Sequence, residues 1–237
     1  MNSNKKTARI AGCIFLVLLI SGIFAEFFVR YKIFVPDDII TTAKNIKDKH
    51  ALFNLGIVSD IIMSTAYFFY AIFLYFIFKP VSKTFSLVLL SSSMVGVSIL
   101  CLNTFNQIAA SLLAGDGNYL GAFSQEQLNG LITFFLKMHI NGYYVAQVFY
   151  GLYLFPLGYM IYRSGLIPKF IGVLLMLGFI GDIINFFNFF LFPKSEFILL
   201  DYVTLPADLG EVSLCLWLVI MGIREYKLET QIKSSTI

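Results

Sequence analysis

The run LITFFLKMHINGYYVAQVFYGLYLFPLGYMIY, Leu131–Tyr162, decides the fold, because it is long enough to cross a bilayer yet carries Lys137 and His139 near its start. A hydrocarbon core about 30 Å thick takes roughly 20 apolar helical residues. Either this helix buries a charge in lipid, or it begins outside the membrane. The residues just upstream point to the second. In FSQEQL, Ser124 can serve as N-cap with Gln127 three residues on, and Phe123 can face Leu128 as a hydrophobic staple. The helix therefore starts near Ser124. Counted back from the basic anchor Arg163, about 20 residues of hydrocarbon end near Tyr143 or Tyr144. Lys137 then lies about 39 Å from Arg163 at 1.5 Å per residue. That places Lys137 at the interface, snorkelling outward, and His139 two residues deeper at the outer mouth.

Composition extends this reading to the whole chain. Hydrophobic residues make up 58% of the sequence and charged residues 13%, with 26 Phe and a mean hydropathy of +0.81. A soluble core cannot hide that much apolar surface, so the chain reads as an all-α integral membrane protein. Runs long enough to cross lie at about 10–28, 52–78, 85–113, 131–162, 170–192 and 205–223. They predict six spans in one domain, residues 1–237. The first has the basic lead of a secretory signal but is long for one and is followed by AEFFVR rather than a small-residue cleavage site, so it reads as a retained anchor. If the N-terminus is cytoplasmic, that side holds Lys5, Lys6, Arg9, Lys79, Lys83, Arg163, Lys169, Arg224, Lys227 and Lys233. Arg30, Lys32, Lys44, Lys47, Lys49 and Lys194 fall outside. The bias predicts both termini in the cytoplasm.

Other features narrow the function. The net charge of +3 is too small and dispersed for nucleic acid, and Cys13, Cys101 and Cys215 show neither disulfide nor metal-ligand spacing. No cofactor or metal motif is present. The turns KPVSK and RSGLIPK are short and predict tight helical hairpins. In the outer link PDDIITTAKNIKDKH, Pro36 and Asp37 can open a helix with Ile39, Ile40, Ala43 and Ile46 on one face. Such a helix would lie on the membrane interface over a pocket mouth; the alternative is a solvated linker, and His50 beside it reads as solvated.

Heights measured from each span's cytoplasmic Lys or Arg give the main functional signal. Glu26 lies 17 residues from Arg9, Asp60 19 from Lys79, Asn103 20 from Lys83 and Asp182 13 from Lys169. Glu211 and Asp208 lie 13 and 16 from Arg224. These correspond to heights of roughly 20–30 Å, one layer in the outer half. The polar residues also form stripes: Asp60, Ser64 and Tyr67; Asn103, Asn106 and Gln107; His139, Tyr143, Gln147 and Tyr150; Asp182 and Asn185. Charged groups facing lipid are expensive, so the stripes should face the bundle interior. Simpler roles remain open. Glu26 can pair with Arg30 four residues on, Asp208 can complement the start of the sixth helix, and the amides can tie helices together.

Two stretches, ARIAGCIFLVLLISGIFAEFFVR near the N-terminus and GLYLFPLGYMIYRSGLIPKFIGVLLMLG, resemble a bacterial multi-pass membrane family known as domain of unknown function 4386. Its most specific feature here is the R-S-G-x-I-P-K-x-x-G turn, Arg163–Gly172. The resemblance implies a bacterial inner-membrane protein with this arrangement of spans and carries over no catalytic residue. Structurally, Gly165 should cap one helix, Pro168 start the next, and Arg163 and Lys169 anchor the interface.

Three functions fit the pattern. The leading one is an outward-facing pocket binding a small ligand or cation, in a transporter, sensor or accessory subunit. Its lining would be Glu26, Asp60, Asn103, Gln107, His139, Tyr143, Asp182, Asn185, Asp208 and Glu211, with Tyr67, Tyr143 and Tyr150 offering cation-π contacts. The second is a structural subunit whose polar layer only packs helices. The third, a metal-dependent lipid hydrolase, suffers from having a single histidine near the layer.

Overall fold

The computed structural model describes residues 3–36, 38–193 and 202–224. Among them there are helices and turns and no strand. Helix α1 (Ser3–Ile23) runs into a π-helical turn (Phe24–Arg30) and a last α-turn, α2 (Tyr31–Ile33). There follow α3 (Ile39–Asp48), α4 (His50–Phe78), α5 (Lys83–Ala114), a 3-10 turn (Asn118–Ala122), α6 (Gln125–Ser164), α7 (Lys169–Leu191) and α8 (Leu205–Ile220). Among the described residues, five helical stretches are long and apolar enough to cross a membrane: Asn4–Ile33, His50–Phe78, Lys83–Ala114, Gln125–Ser164 and Lys169–Leu191. The expected last span corresponds to α8, whose 16 residues reach about 24 Å, short of a core of about 30 Å.

The local signals for helix ends hold. Ser124 Oγ accepts from the Gln127 amide at 3.2 Å and Gln127 Oε1 accepts from the Ser124 amide at 2.8 Å, a reciprocal capping box that starts α6 where expected. Lys137 is exposed. Gly165 ends α6 with φ +66, a left-handed position that a side chain would strain. Pro168 caps α7. Arg163 lies over Tyr159 at 5.9 Å and Lys169 over Tyr162 at 5.1 Å.

The chain divides into two compact units. In the unit made of Ile14–Phe69 and Ser93–Tyr150, α3 folds back over the end of α2. Asn45 Nδ2 donates to the Ile33 carbonyl at 3.0 Å and Lys49 Nζ to the Lys32 carbonyl at 3.0 Å, satisfying acceptors that a helix C-terminus leaves open. The N-cap of α3 is Asp38, which accepts from the Thr41 amide at 2.9 Å and hydroxyl at 2.6 Å. Asp37, an expected opener, lies outside the described residues. The buried face of α3 is Thr42, Ala43 and Ile46, packed in a core with Val29, Ile33, Phe53, Ala110, Ala114, Ile132 and Leu136. Ile39 and Ile40, on the same apolar pattern, are exposed at 44% and 70%. His50 is not simply solvated: its Nε2 lies 2.9 Å from Ser111 Oγ, which donates to Asn54 Oδ1 at 2.6 Å.

In the other unit (Met1–Cys13, Tyr70–Ser92 and Gly151–Ile237), small residues set the helix spacing. A Cβ on Gly172 would come within 2.6 Å of the Gly158 carbonyl oxygen, and one on Gly178 within 2.6 Å of the Ala207 backbone. Gly172 closes the R-S-G-x-I-P-K-x-x-G motif, so the motif marks where α6 and α7 meet. The buried Leu166 adds a hydrogen bond from the Arg224 amide to its carbonyl at 3.0 Å.

Candidate functional site

The unit made of Ile14–Phe69 and Ser93–Tyr150 builds a charged network from four elements, the π turn, α4, α5 and α6. The π turn carries Glu26 and Arg30, and π turns recur at functional positions because the extra residue re-aims the side chains beyond it. Arg30 forms a fork against Asp60 of α4, Nη1 to Oδ2 at 2.8 Å and Nη2 to Oδ1 at 3.1 Å, while its Nε donates to Glu26 Oε2 at 2.7 Å. The Arg30 side chain is 19% exposed, that of Asp60 7% and that of Glu26 50%. Bidentate guanidinium–carboxylate geometry is the strongest form of this contact. Asp60 has no basic neighbour along its own helix, and the structure supplies one from another.

Gln107 of α5 extends the network. Its Nε2 donates to Asp60 Oδ2 at 2.7 Å and stands 2.9 Å from His139 Nε2. On the other side of the ring, Asn103 Nδ2 lies 3.1 Å from His139 Nδ1 and donates to the His139 carbonyl at 2.8 Å. Asn106 Nδ2 in turn donates to Asn103 Oδ1 at 3.0 Å. If Nε2 accepts from Gln107, the neutral imidazole carries its proton on Nδ1, 3.4 Å from the Asn103 carbonyl. Gly142, one turn from His139, leaves room for this contact, since a Cβ there would overlap the Asn103 amide. Ser59, next to Asp60, ties α4 to α1 by donating to the Ser21 carbonyl at 2.9 Å. Tyr67 and Tyr150 meet edge to face at 4.8 Å.

The remaining expected site residues divide between the units. Tyr143 is about half exposed, its ring edge-on to Tyr144. In the other unit, Asp182 is buried on α7 with Asn185 half-buried beside it, and Asp208 and Glu211 stand on α8. The Tyr153 hydroxyl donates to Glu211, and the Asp182 and Asp208 carboxylates act on the same Glu211. Asp182 sits where Gly151 has no side chain: a Cβ there would be 3.0 Å from that of Asp182. The ten residues thus form two groups, Glu26, Asp60, Asn103, Gln107, His139 and Tyr143 in one unit and Asp182, Asn185, Asp208 and Glu211 in the other.

Arg30 is the site residue that sequence reasoning placed elsewhere, as a basic residue of the first outer link. Its signal was the apolar continuity of Phe27, Phe28, Val29, Tyr31 and Ile33 around it, which keeps the helix going through Ile33.

Five helices of this length and apolarity among the described residues mark a helical membrane protein. The chain belongs to the family described as Domain of unknown function (DUF4386), which matches residues 10–222. It is also similar to an uncharacterized protein of Archaeoglobus fulgidus, 27% identical over 152 residues that cover 64% of this chain and 74% of the relative. No solved structure matches.

Proposed function

We propose that the chain crosses the cell membrane six times with both termini cytoplasmic, the last crossing made by α8 together with the residues that flank it in 202–224, and that it binds a small cation from the outer side at the Glu26–Arg30–Asp60 network. The observation carrying this reading is the charge balance. One guanidinium serves two carboxylates, leaving one excess negative charge beside His139, Gln107 and Asn103. Ionisable groups within a membrane are expensive and by default functional. A cation, or a proton, restores neutrality where Glu26, the more exposed acid, can still receive it. A second reading rests on its own observation: Asp60 already accepts three hydrogen bonds from protein donors, as a purely structural tie would.

Glu26→Gln separates the two. In the purified protein in nanodiscs, melting should rise with sodium, potassium or a small primary amine, and Glu26→Gln should fold normally and lose that response. A parent protein that ignores all three cations and pH between 5 and 8 would leave the structural reading standing.

A further inference from the structure

We infer that the groove between α3 and the start of α6 is a binding site for an anionic phospholipid. Two helical stripes face each other across a cavity of ≈ 500 Å³, a size typical of small-molecule sites. On α3 the stripe is Ile40, Ala43, Lys44 and Lys47; on α6 it includes Leu128 and Ile132. The depths are apolar, with Ala43, Leu128 and Ile132 each less than a tenth exposed. The lysines stand at the rim. Lys44 makes no ion pair among the described residues, and Lys47 meets only Asp116, at 3.1 Å, with the two side chains 61% and 88% exposed. An exposed pair of that kind contributes little, so a phosphate can take Lys47 from Asp116 and bridge to Lys44, three residues along the same face.

The occupant is a lipid rather than a soluble phosphate because the surroundings are apolar. Ile39, Ile40 and Phe123 are 44%, 70% and 43% exposed, which suits acyl chains at headgroup level. A short helix carrying both apolar and lysine faces is the usual form of an interfacial segment. Its anchoring to the Ile33 and Lys32 carbonyls holds the lysines in place.

The test uses the full chain in a neutral detergent, titrated with phosphatidylglycerol, phosphatidylcholine or glycerol 1-phosphate, with bound lipid counted by native mass spectrometry. The parent should prefer phosphatidylglycerol over phosphatidylcholine by on the order of tenfold, from two lysines near an anionic headgroup. Lys44→Gln with Lys47→Gln should abolish that preference without changing the melt in phosphatidylcholine. Asp116→Asn should strengthen it and decides the matter if the double variant does not fold. An unchanged preference in the double variant, or an unchanged or weaker one in Asp116→Asn, would overturn the site. Equal competition by glycerol 1-phosphate would overturn the lipid as its occupant.

Discussion

Replacing Asp60 by Asn isolates the ion pair at the centre of the network while keeping the side chain's size. Arg30 would lose its bidentate partner and retain Glu26, and Gln107 would lose a charged acceptor. Breaking a buried pair from one side costs about 3–5 kcal/mol. The surviving Glu26 contact and the 19% exposure of Arg30 bring the expected loss to about 2–3 kcal/mol, since a remaining partner and some solvent offset part of the stranded charge. By the scaling for a chain of this size, that is a fall of roughly 4–12 °C in apparent Tm. Thermal melts in one detergent and lipid background measure it. A double-mutant cycle with Arg30→Gln assigns it, and the coupling should be about 1–3 kcal/mol, as for contacting charged residues. Asp60→Asn within about 0.5 kcal/mol of the parent, the range of an indifferent surface change, would refute the premise that this pair is closed and buried.

Three further outcomes test other parts of the structure. With Cys13, Cys101 and Cys215 replaced, a cysteine at Asp116 should react with an impermeant thiol reagent applied to cells and one at Ser82 should not; the reverse would invert the orientation. The Asp38 carboxyl is held below its ordinary value of 3.8 by the Thr41 hydroxyl and then the Thr41 amide. The cap therefore contributes fully above that value and is lost as pH falls through the lower folded one. Protection of the Thr41 amide, its exchange rate set against the intrinsic rate at each pH, should fall in that acid range in the parent, and should be low and unchanged across it in Asp38→Ala. Gly178→Ala must move backbone, because its Cβ would sit 2.6 Å from Ala207, and should cost about 1–3 kcal/mol as overpacking does, read as a lower melting temperature; an unchanged melt would show that α7 and α8 are not in contact there.

What the sequence makes legible follows from the range of the interactions. Caps and hairpin turns are local, so Ser124 with Gln127, Gly165 and Pro168 declare themselves within a few residues. Stripes are legible too, because Asn103, Asn106 and Gln107 must share a face whatever that face meets. The pairing of Arg30 with Asp60 is not. It joins residues 30 apart, and the π turn offsets the face of the helix beyond it, so the upstream periodicity stops predicting where Arg30 points. Counting Arg30 as a flanking anchor also ended the first span near Phe28, whereas the helix continues to Ile33. The face of α3 shows another limit of a local pattern: periodicity groups Ile39, Ile40, Ala43 and Ile46, but how that face divides between protein and surroundings depends on the ties through Asn45, Thr42 and Lys49, which leave Ala43 and Ile46 buried and the two leading isoleucines exposed.

The two buried aspartates give the sharpest contrast, because the same substitution should act on them with opposite sign. Asp60 faces a guanidinium, and its neutralisation removes the buried partner of that pair and leaves Arg30 to Glu26 alone. Asp182 lies instead with Asp208 and Glu211, and the Asp182 and Asp208 charges both bear on Glu211. Like charges in a medium of low polarity repel strongly. Changing Asp182 to Asn removes one of them and keeps the volume that Gly151 accommodates, so the melt at neutral pH should stay level or rise. The Tyr153 bond to Glu211 involves neither atom being changed. The control is Gly151→Ala, which should lower the melt, because a Cβ there would meet Asp182 at 3.0 Å. If Asp182→Asn falls as far as Asp60→Asn, the contacts that the Asp182 carboxylate makes outweigh its repulsion with Asp208 and Glu211, and relief of like charge does not govern the melt.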